Sequence, residues 1–396
     1  MSAESAKLLD DARAELPRAV ALRRRIHENP ELGLDLPETT AALLDSLADL
    51  GLELAHSSKT SGVVARLRGA RSGPAVLLRA DMDALPMPEN TGLPFASRVS
   101  GRMHACGHDA HTAMLAGAAR VLARHRSELA GDVLFLFQPG EEGFAGARIM
   151  LGESLFDPRE VKRAFALHVD PRVPVGRLAS RAGALLASAD SFSISVTGRG
   201  GHASMPHDAL DPIPVACEIV QAVQSFVTRR IDAFDPAVIS VTKIDAGTTG
   251  NVIPESADML GTIRATSPKA RERAHAGLRQ VAEGVCAAHG AKANVSIVEG
   301  YPVTVNDAAQ SEFARAVVAD LLGDGAYLAL PAPLMGAEDF SFVLEKIPGA
   351  MLFLGVRPDD PSLRAPCHSN RMVLNEAGMA HGIAIHAALA LRALAT

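Results

Sequence analysis

Four short, mostly apolar runs that do not alternate constrain this chain more than any other feature: residues 62–67, 75–80, 132–138 and 163–169. A strand with one wet face alternates apolar and polar residues. These runs do not alternate, so they read as strands covered on both faces. Helical stretches surround them, at 4–27 and 109–126, with another from Pro37 to Leu50, where Gly51 supplies a stop. This βαβ rhythm predicts an α/β fold in which a mostly parallel sheet is flanked by helices.

Near residue 185 the rhythm changes. Residues 191–197 alternate, a helical stretch covers 209–230, strands follow at 238–244 and 257–265, then a helix at 268–289 and a strand at 293–298. That β-α-β-β-α-β order is the split βαβ, ferredoxin-like plan of a small α+β domain. A helix at 307–322, an apolar strand at 350–355 and a helix at 376–394 then resume the first pattern. The expected organisation is one discontinuous domain of residues 1–186 and 299–396, interrupted by an inserted domain at 187–298. A length of 396 residues suits two such domains.

Composition narrows the partners. With 39 basic and 45 acidic residues the formal charge is −6, which argues against a nucleic-acid or acidic-membrane surface as the main partner. Four cysteines are too sparse for a disulfide framework. The first 33 residues mix acids and bases and lack the plan of a secretory signal, and no run of eighteen apolar residues occurs. The expected compartment is the cytoplasm.

Ligand-type side chains concentrate at a few places. The tract 103–112 (MHACGHDAHT) holds His104, Cys106, His108, Asp109 and His111 just before a helical run. Thiol, imidazole and carboxylate form the ligand set of zinc and its first-row neighbours, and a turn through Gly107 aims Cys106 and His108 at one ion. Glu141 and Glu142 (FQPGEEG) follow a buried strand, at the edge where open α/β sheets bind ligands. Adjacent side chains diverge in extended backbone, so one acid is free to bind a cation while the other handles a proton. Asp81 and Asp83 (RADMDALP) end another strand and either bind a cation, hold a ligand histidine or stabilise a turn. His168 ends an apolar strand, and His368 lies in the loop before the last helix.

These tracts, with GGHASMPH, NVIPESADMLGTIR, MGAEDFSF and CHSN, occur in the order found in a known family. The chain resembles the amidohydrolase branch of the dinuclear zinc peptidases, which includes aminoacylase-like enzymes, hippurate hydrolase and plant auxin-conjugate hydrolases. The resemblance runs from RRRIHENPELG at 23–33 to His368. It implies a catalytic domain bearing an inserted lid or dimerisation domain. It also implies that Cys106, His108, Glu142, His168 and His368 bind two divalent ions per subunit, with Glu141 as general base and then general acid. His202 and Asn251 match lid residues that reach the substrate, and Arg264 matches a residue that pairs with its carboxylate, a task suited to a planar guanidinium.

Two departures stand out. More distant members of the superfamily carry His-x-Asp where this chain has Asp81-Met82-Asp83, so Asp81 is not expected to be a ligand and Asp83 is expected to support one. Cys367 occupies a place where an apolar residue is expected and is read as packing; Asp109 and His111 are expected to cap or support the helix they begin. The implied activity is metal-dependent hydrolysis of a small-molecule N-acyl-L-amino acid, of N-acetyl or N-benzoyl type, through metal-bound hydroxide. Zinc, manganese, cobalt and nickel all accept this ligand set. A metallocarboxypeptidase or dipeptidase, or a biosynthetic deacetylase, would use the same core with a different pocket. A non-catalytic acyl-amino acid binder would have no need of Glu141. The resemblance further implies a homodimer or higher homo-oligomer.

Overall fold

A computed structural model describes residues 2–395, which divide into two compact units. The first contains residues 2–185, 305–332 and 339–395, and the second contains 186–304 and 333–338.

The first unit opens with α1 (Ala3–Glu28) and α2 (Pro37–Leu47), followed by β1 (Glu53–His56), β2 (Val63–Leu67) and β3 (Ala75–Asp81). Then come α3 (His108–Arg124), β4 (Val133–Gln138), β5 (Val161–Asp170) and β6 (Leu178–Ser180). The chain returns to this unit with the helix Ala308–Leu322, the strand Tyr327–Ala329, the strand Gly349–Gly355 and the helix Gly378–Ala395. Its sheet has the order β1-β2-β4-β3-β5, then Gly349–Gly355, β6 and Tyr327–Ala329.

The central strands β4, β3, β5 and Gly349–Gly355 run parallel. Every residue of β3, β4 and Gly349–Gly355 is buried, as expected of mostly apolar strands covered on both faces. The margins are antiparallel at β1–β2, β2–β4 and between β6 and Gly349–Gly355. Strand β1 (ELAH) is largely exposed and β6 has three residues, so neither shows as an apolar run.

Helix α2 ends at Leu47, three residues before the expected stop. The Leu50 N–H closes a turn on the Leu47 carbonyl (3.1 Å), and Gly51 follows at φ +61°. Its N-cap is Leu36, which offers no side-chain acceptor; Glu31 does this instead, accepting from the N–H groups of Glu38 (3.2 Å) and Thr39 (2.8 Å). The last helix, Gly378–Ala395, has a mean hydropathy of 1.3 and is by composition apolar enough to cross a membrane, but 83% of it is buried inside the protein, against α1 and α3. It is a core helix.

The second unit holds a four-stranded antiparallel sheet in the order Ala237–Ala246, Ser256–Ala265, Ala189–Thr197, Lys292–Tyr301. The helices Pro212–Arg230 and Pro268–Ala288 complete the split βαβ plan. Alternation sets the buried face: Phe192, Ile194 and Val196 on one strand and Ala257, Met259 and Ile263 on its neighbour share a core with Val215, Ile219, Val223 and Leu278. The first of these helices begins at Pro212, three residues later than its periodicity suggests. Asp211 caps it, accepting from Ile213 N–H (3.0 Å), and Pro212 takes the first turn, where a missing N–H costs nothing.

One buried acid ties this unit together. Asp190 accepts from Arg271 at 2.5 and 2.9 Å, contacts His275 Nε2 at 2.7 Å and accepts from Gly300 N–H at 3.0 Å. Removing it would take from a mostly buried guanidinium its main counter-charge, with Glu299 at 3.8 Å the more distant one. Asp190→Ala is expected to cost about 2–3 kcal/mol, since Arg271 stays partly wet. Urea denaturation of the full chain would show this as a lower midpoint.

Candidate metal centre

The parallel central strands β3, β4 and β5 all end at one edge of the sheet. Asp81 closes β3 and pairs in register with Gln138, which closes β4; His168 lies near the end of β5. The loops that follow bring the ligand-type residues together, as the carboxyl ends of parallel strands do in open α/β sheets. Cys106 precedes α3 and His108 begins it, with Gly107 between them at φ +90°.

Ligand atoms of Cys106, His108 and His168 all lie within 4.8 Å of one another, and the same holds for Cys106, Glu142 and His368, and for His108, Glu141 and Glu142. Cys106 Sγ is 3.3 Å from His168 Nε2, and His368 Nε2 is 3.3 Å from Glu142 Oε1. The six residues expected to bind cations or move the proton are therefore neighbours. His168 is held by its other nitrogen, 2.8 Å from the Val169 carbonyl, which it satisfies as an Nδ1–H donor with Nε2 turned towards Cys106. His368 has φ +66°, a left-handed conformation sparsely used by residues other than glycine, and its N–H donates to the Ala105 carbonyl at 2.8 Å.

A cation fits this arrangement. His108 is fully buried, yet neither ring nitrogen has a hydrogen bond: Nε2 stands 3.7 Å from Asp81 and Nδ1 3.6 Å from Asp83. A buried imidazole in that state requires another partner for its lone pair, and a metal ion is the common one. Burial opposes charge on His108, but Asp81, Asp83 and Glu142 outweigh it and push its pKa well above the usual histidine range. The Cys106 thiol is pushed up by the neighbouring Cys367, by burial and by the two glutamates. So many acids around one pocket favour a positive charge there, and a bound cation would reverse the balance at the thiol.

The surrounding residues support the site as expected, except that two of them do not cap the helix. Asp83 accepts the main-chain N–H groups of both Glu141 (2.9 Å) and Glu142 (3.0 Å), one on each oxygen, and so fixes the loop that carries the two acids. His111 and Asp109 do not cap α3, whose N-cap is Gly107 with no side-chain bond. The first turns of that helix are buried, so both side chains point into packed elements rather than back along the helix. His111 donates from Nδ1 to Asp81 (2.5 Å) and accepts the Val169 N–H at Nε2 (2.8 Å). Burial lowers its pKa to about 4, so it is neutral. Asp109 accepts from Arg23 (2.9 Å) and His27 (2.8 Å), which joins α1 to α3.

His27 is raised to about 9; burial opposes this, but Asp109 and Glu89 prevail. Arg79 donates to Gln138 (2.8 Å), Asp81 (2.6 Å) and Asp339 (2.7 Å), all buried. With both its oxygens already accepting from Arg79 and His111, Asp81 is occupied as a positioning group. Sequence reasoning missed Arg23, His27, Arg79, Gln138 and Asp339. Only the polar residues embedded in or ending apolar runs, Arg79 and Gln138, left a signal to find.

His202, Asn251 and Arg264 all belong to the second unit. His202 sits in a two-residue ribbon in which Val252 is its register partner, and the Ala203 N–H donates to the Asn251 carbonyl at 3.1 Å. His202 Nδ1 accepts the Ser204 N–H at 3.1 Å, so a neutral ring carries its proton on Nε2. The Asn251 side chain accepts from Thr249 at 3.1 Å. Arg264 is on Ser256–Ala265, opposite Val238.

Gly107 is required for steric and conformational reasons together. A Cβ there would stand 2.4 Å from Val169 Cγ2, on a backbone at φ +90°. Gly107→Ala is expected to lose about 2–4 kcal/mol of stability from left-handed strain and overpacking, measurable as a lowered thermal midpoint.

Comparison with known proteins agrees with this geometry. The model of peptidase family M20/M25/M40 matches residues 77–392. Thermostable carboxypeptidase 1 of Saccharolobus solfataricus is 38% identical over 390 residues, covering 98% of each chain. N-acetylcysteine deacetylase of Bacillus subtilis is 41% identical over 339 residues, 85% of this chain and 88% of that protein. The crystal structure of the Bacillus subtilis YXEP protein, described as a dinuclear metal-binding peptidase of the M20 family, superposes with a TM-score of 0.84 at 36% identity, covering 97% of this chain and 99% of that one. This chain belongs to peptidase family M20/M25/M40 and is an amidohydrolase.

Proposed function

We propose that the protein hydrolyses N-acyl-L-amino acids to a carboxylic acid and an amino acid, with Cys106, His108, Glu142, His168 and His368 holding two divalent cations of the zinc, manganese, cobalt or nickel class. The observation that carries this reading is the buried, unpartnered His108 among ligand-type neighbours with Glu141 beside them. The identity of 41% with an N-acetylcysteine deacetylase supports the substrate class.

Bound ions of this kind polarise a carbonyl and bring the pKa of a water to about 7. Glu141 takes the proton of the attacking water and returns it to the departing amine. Asp83 keeps Glu141 in place through the main-chain N–H it accepts at 2.9 Å. His202, whose Nε2–H is left over by the bond at Nδ1, donates to the oxyanion that develops on the acyl carbonyl oxygen. Asn251 contacts the substrate beside it, and Arg264 grips the free carboxylate of the amino acid with two parallel hydrogen bonds. The protein is further read as a cytoplasmic homo-oligomer, with sedimentation of the purified chain giving the subunit number.

A second reading has a specific support, the 38% identity over nearly the full chain with a carboxypeptidase. The same core would then cut a peptide bond before a C-terminal residue. Amino-acid release from N-acetyl, N-benzoyl and dipeptide substrates, with and without chelator, separates the two. The first reading expects release from acyl-amino acids that chelator abolishes; a strong preference for dipeptides reverses it.

Glu141→Gln is expected to keep its metal content and lose about 10²–10⁴-fold in kcat. A variant with near-native turnover would remove the base assignment. Arg264→Ala is expected to raise KM about 10–100-fold for substrates with a free carboxylate, with a smaller change in kcat. Equal losses on an amidated substrate would contradict the carboxylate pairing.

A further inference from the structure

The chain has four cysteines, all reduced: Cys106 and Cys286 are buried, Cys217 is exposed and Cys367 is partly exposed. Two of them come together. The His368 N–H donates to the Ala105 carbonyl at 2.8 Å, which lays the segment around Cys367 along that of Cys106. Main-chain segments joined by such a bond run about 5 Å apart. A disulfide spans Cα separations of about 4.4–6.8 Å. Cys367 Sγ lies 3.9 Å from the Cys106 carbonyl and 3.8 Å from that of Val169, while Cys106 Sγ lies 3.3 Å from His168 Nε2, so both sulfurs stand against the end of β5.

We infer that Cys106 and Cys367 are an oxidisable pair that closes to a disulfide under hydrogen peroxide. Peroxide reaches the partly exposed Cys367 first. Its sulfur attacks one peroxide oxygen, the O–O bond breaks, and a sulfenic acid and one water form. Cys106 sulfur then attacks the Cys367 sulfur, the S–O bond breaks, and the hydroxyl leaves as a second water with the thiol proton. The two sulfurs together lose two electrons, and one peroxide is reduced to two waters.

The bond follows from the placement of the two residues. Its consequence, that the closed pair cannot load a cation until reduced, rests on the reading of Cys106 as a ligand. A bound cation would occupy the same sulfur, so metal-loaded protein is expected to resist the oxidation.

The test treats the full chain, stripped with chelator, with one equivalent of hydrogen peroxide. Thiols are counted after denaturation, and unreduced peptides are mapped by mass spectrometry. The expected result is a fall from four thiols to two and a single linked peptide pair containing Cys106 and Cys367. Cys367→Ala and Cys367→Ser, each checked for native circular dichroism, should keep Cys106 out of any disulfide. Four surviving thiols, linkage through Cys217 or Cys286, or accumulation of sulfinic acid in place of the link would overturn the inference.

Zinc uptake by the oxidised chain, measured by elemental analysis before and after dithiothreitol, separates the two claims. Low uptake restored by the reductant supports both. A formed disulfide with undiminished zinc uptake would overturn Cys106 as a ligand and leave the disulfide standing.

Discussion

A guanidinium buried where water does not reach must be matched on every side, and Arg79 is such a group, 1% exposed in the middle of the sheet. Its three nitrogens reach Gln138 on β4, Asp81 on its own strand and Asp339 beyond them. Asp339 in turn accepts the Gln138 side-chain amide (2.9 Å) and the Ala147 N–H (2.9 Å) after the double-glutamate loop. Asp81 holds His111, which holds the Val169 N–H next to His168. One buried charge thus sets the ends of three parallel strands in a common register. Breaking such a network leaves an uncompensated ion, a loss of about 3–5 kcal/mol, whereas each bond in isolation is worth far less. The ligand-type residues sit on loops or at the ends of elements such as β5 and α3, and these start from the fixed points.

The pocket that results is acidic and largely buried. Asp81, Asp83, Glu141 and Glu142 lie beside His108 and Cys106, and of the cations nearby Arg79 is already committed to Asp81, Gln138 and Asp339. Burial disfavours every charged form, and mutual repulsion among the acids adds to that. What keeps Asp81 ionised is the combined pull of His108, Arg79 and His111, which holds it well below the usual carboxylate range against burial. His108 thereby takes on a charge that a free imidazole would not keep in such a place. A metal ion bound there would supply the same positive charge and would leave His108 neutral.

The frame was legible because its signals are local. Strands β3 and β4 announce themselves as mostly apolar runs that do not alternate, and the second unit by alternation in 191–197 and the order of its elements. The clustered tracts 103–112 and 137–143 pointed to residues that the structure does bring together. What was hidden depends on distant partners. Nothing near Asp339 marks it as the acid that meets Arg79, 260 residues away. Asp109 and His111 stand where a cap is expected, and local rules have no way to register that the first turns of α3 are enclosed by α1 and β5. The antiparallel edge strand β1 is short and exposed, so it shares no pattern with the central strands.

Relatives of similar identity carry different names, a carboxypeptidase at 38% and a deacetylase at 41%. Both cleave a carbonyl–nitrogen bond next to an amino acid, and what differs is the group on the acyl side. A core that polarises a carbonyl and shuttles one proton is indifferent to that group, so likeness in the strand-end residues cannot choose between them. The choice has to come from side chains that line the acyl pocket, and the composition limits what they are. With no tryptophan and two tyrosines, stacking on a large aromatic acyl group would fall mainly to phenylalanine, of which there are thirteen. Many of those, among them Phe135, Phe137, Phe165 and Phe340, are already consumed by the core.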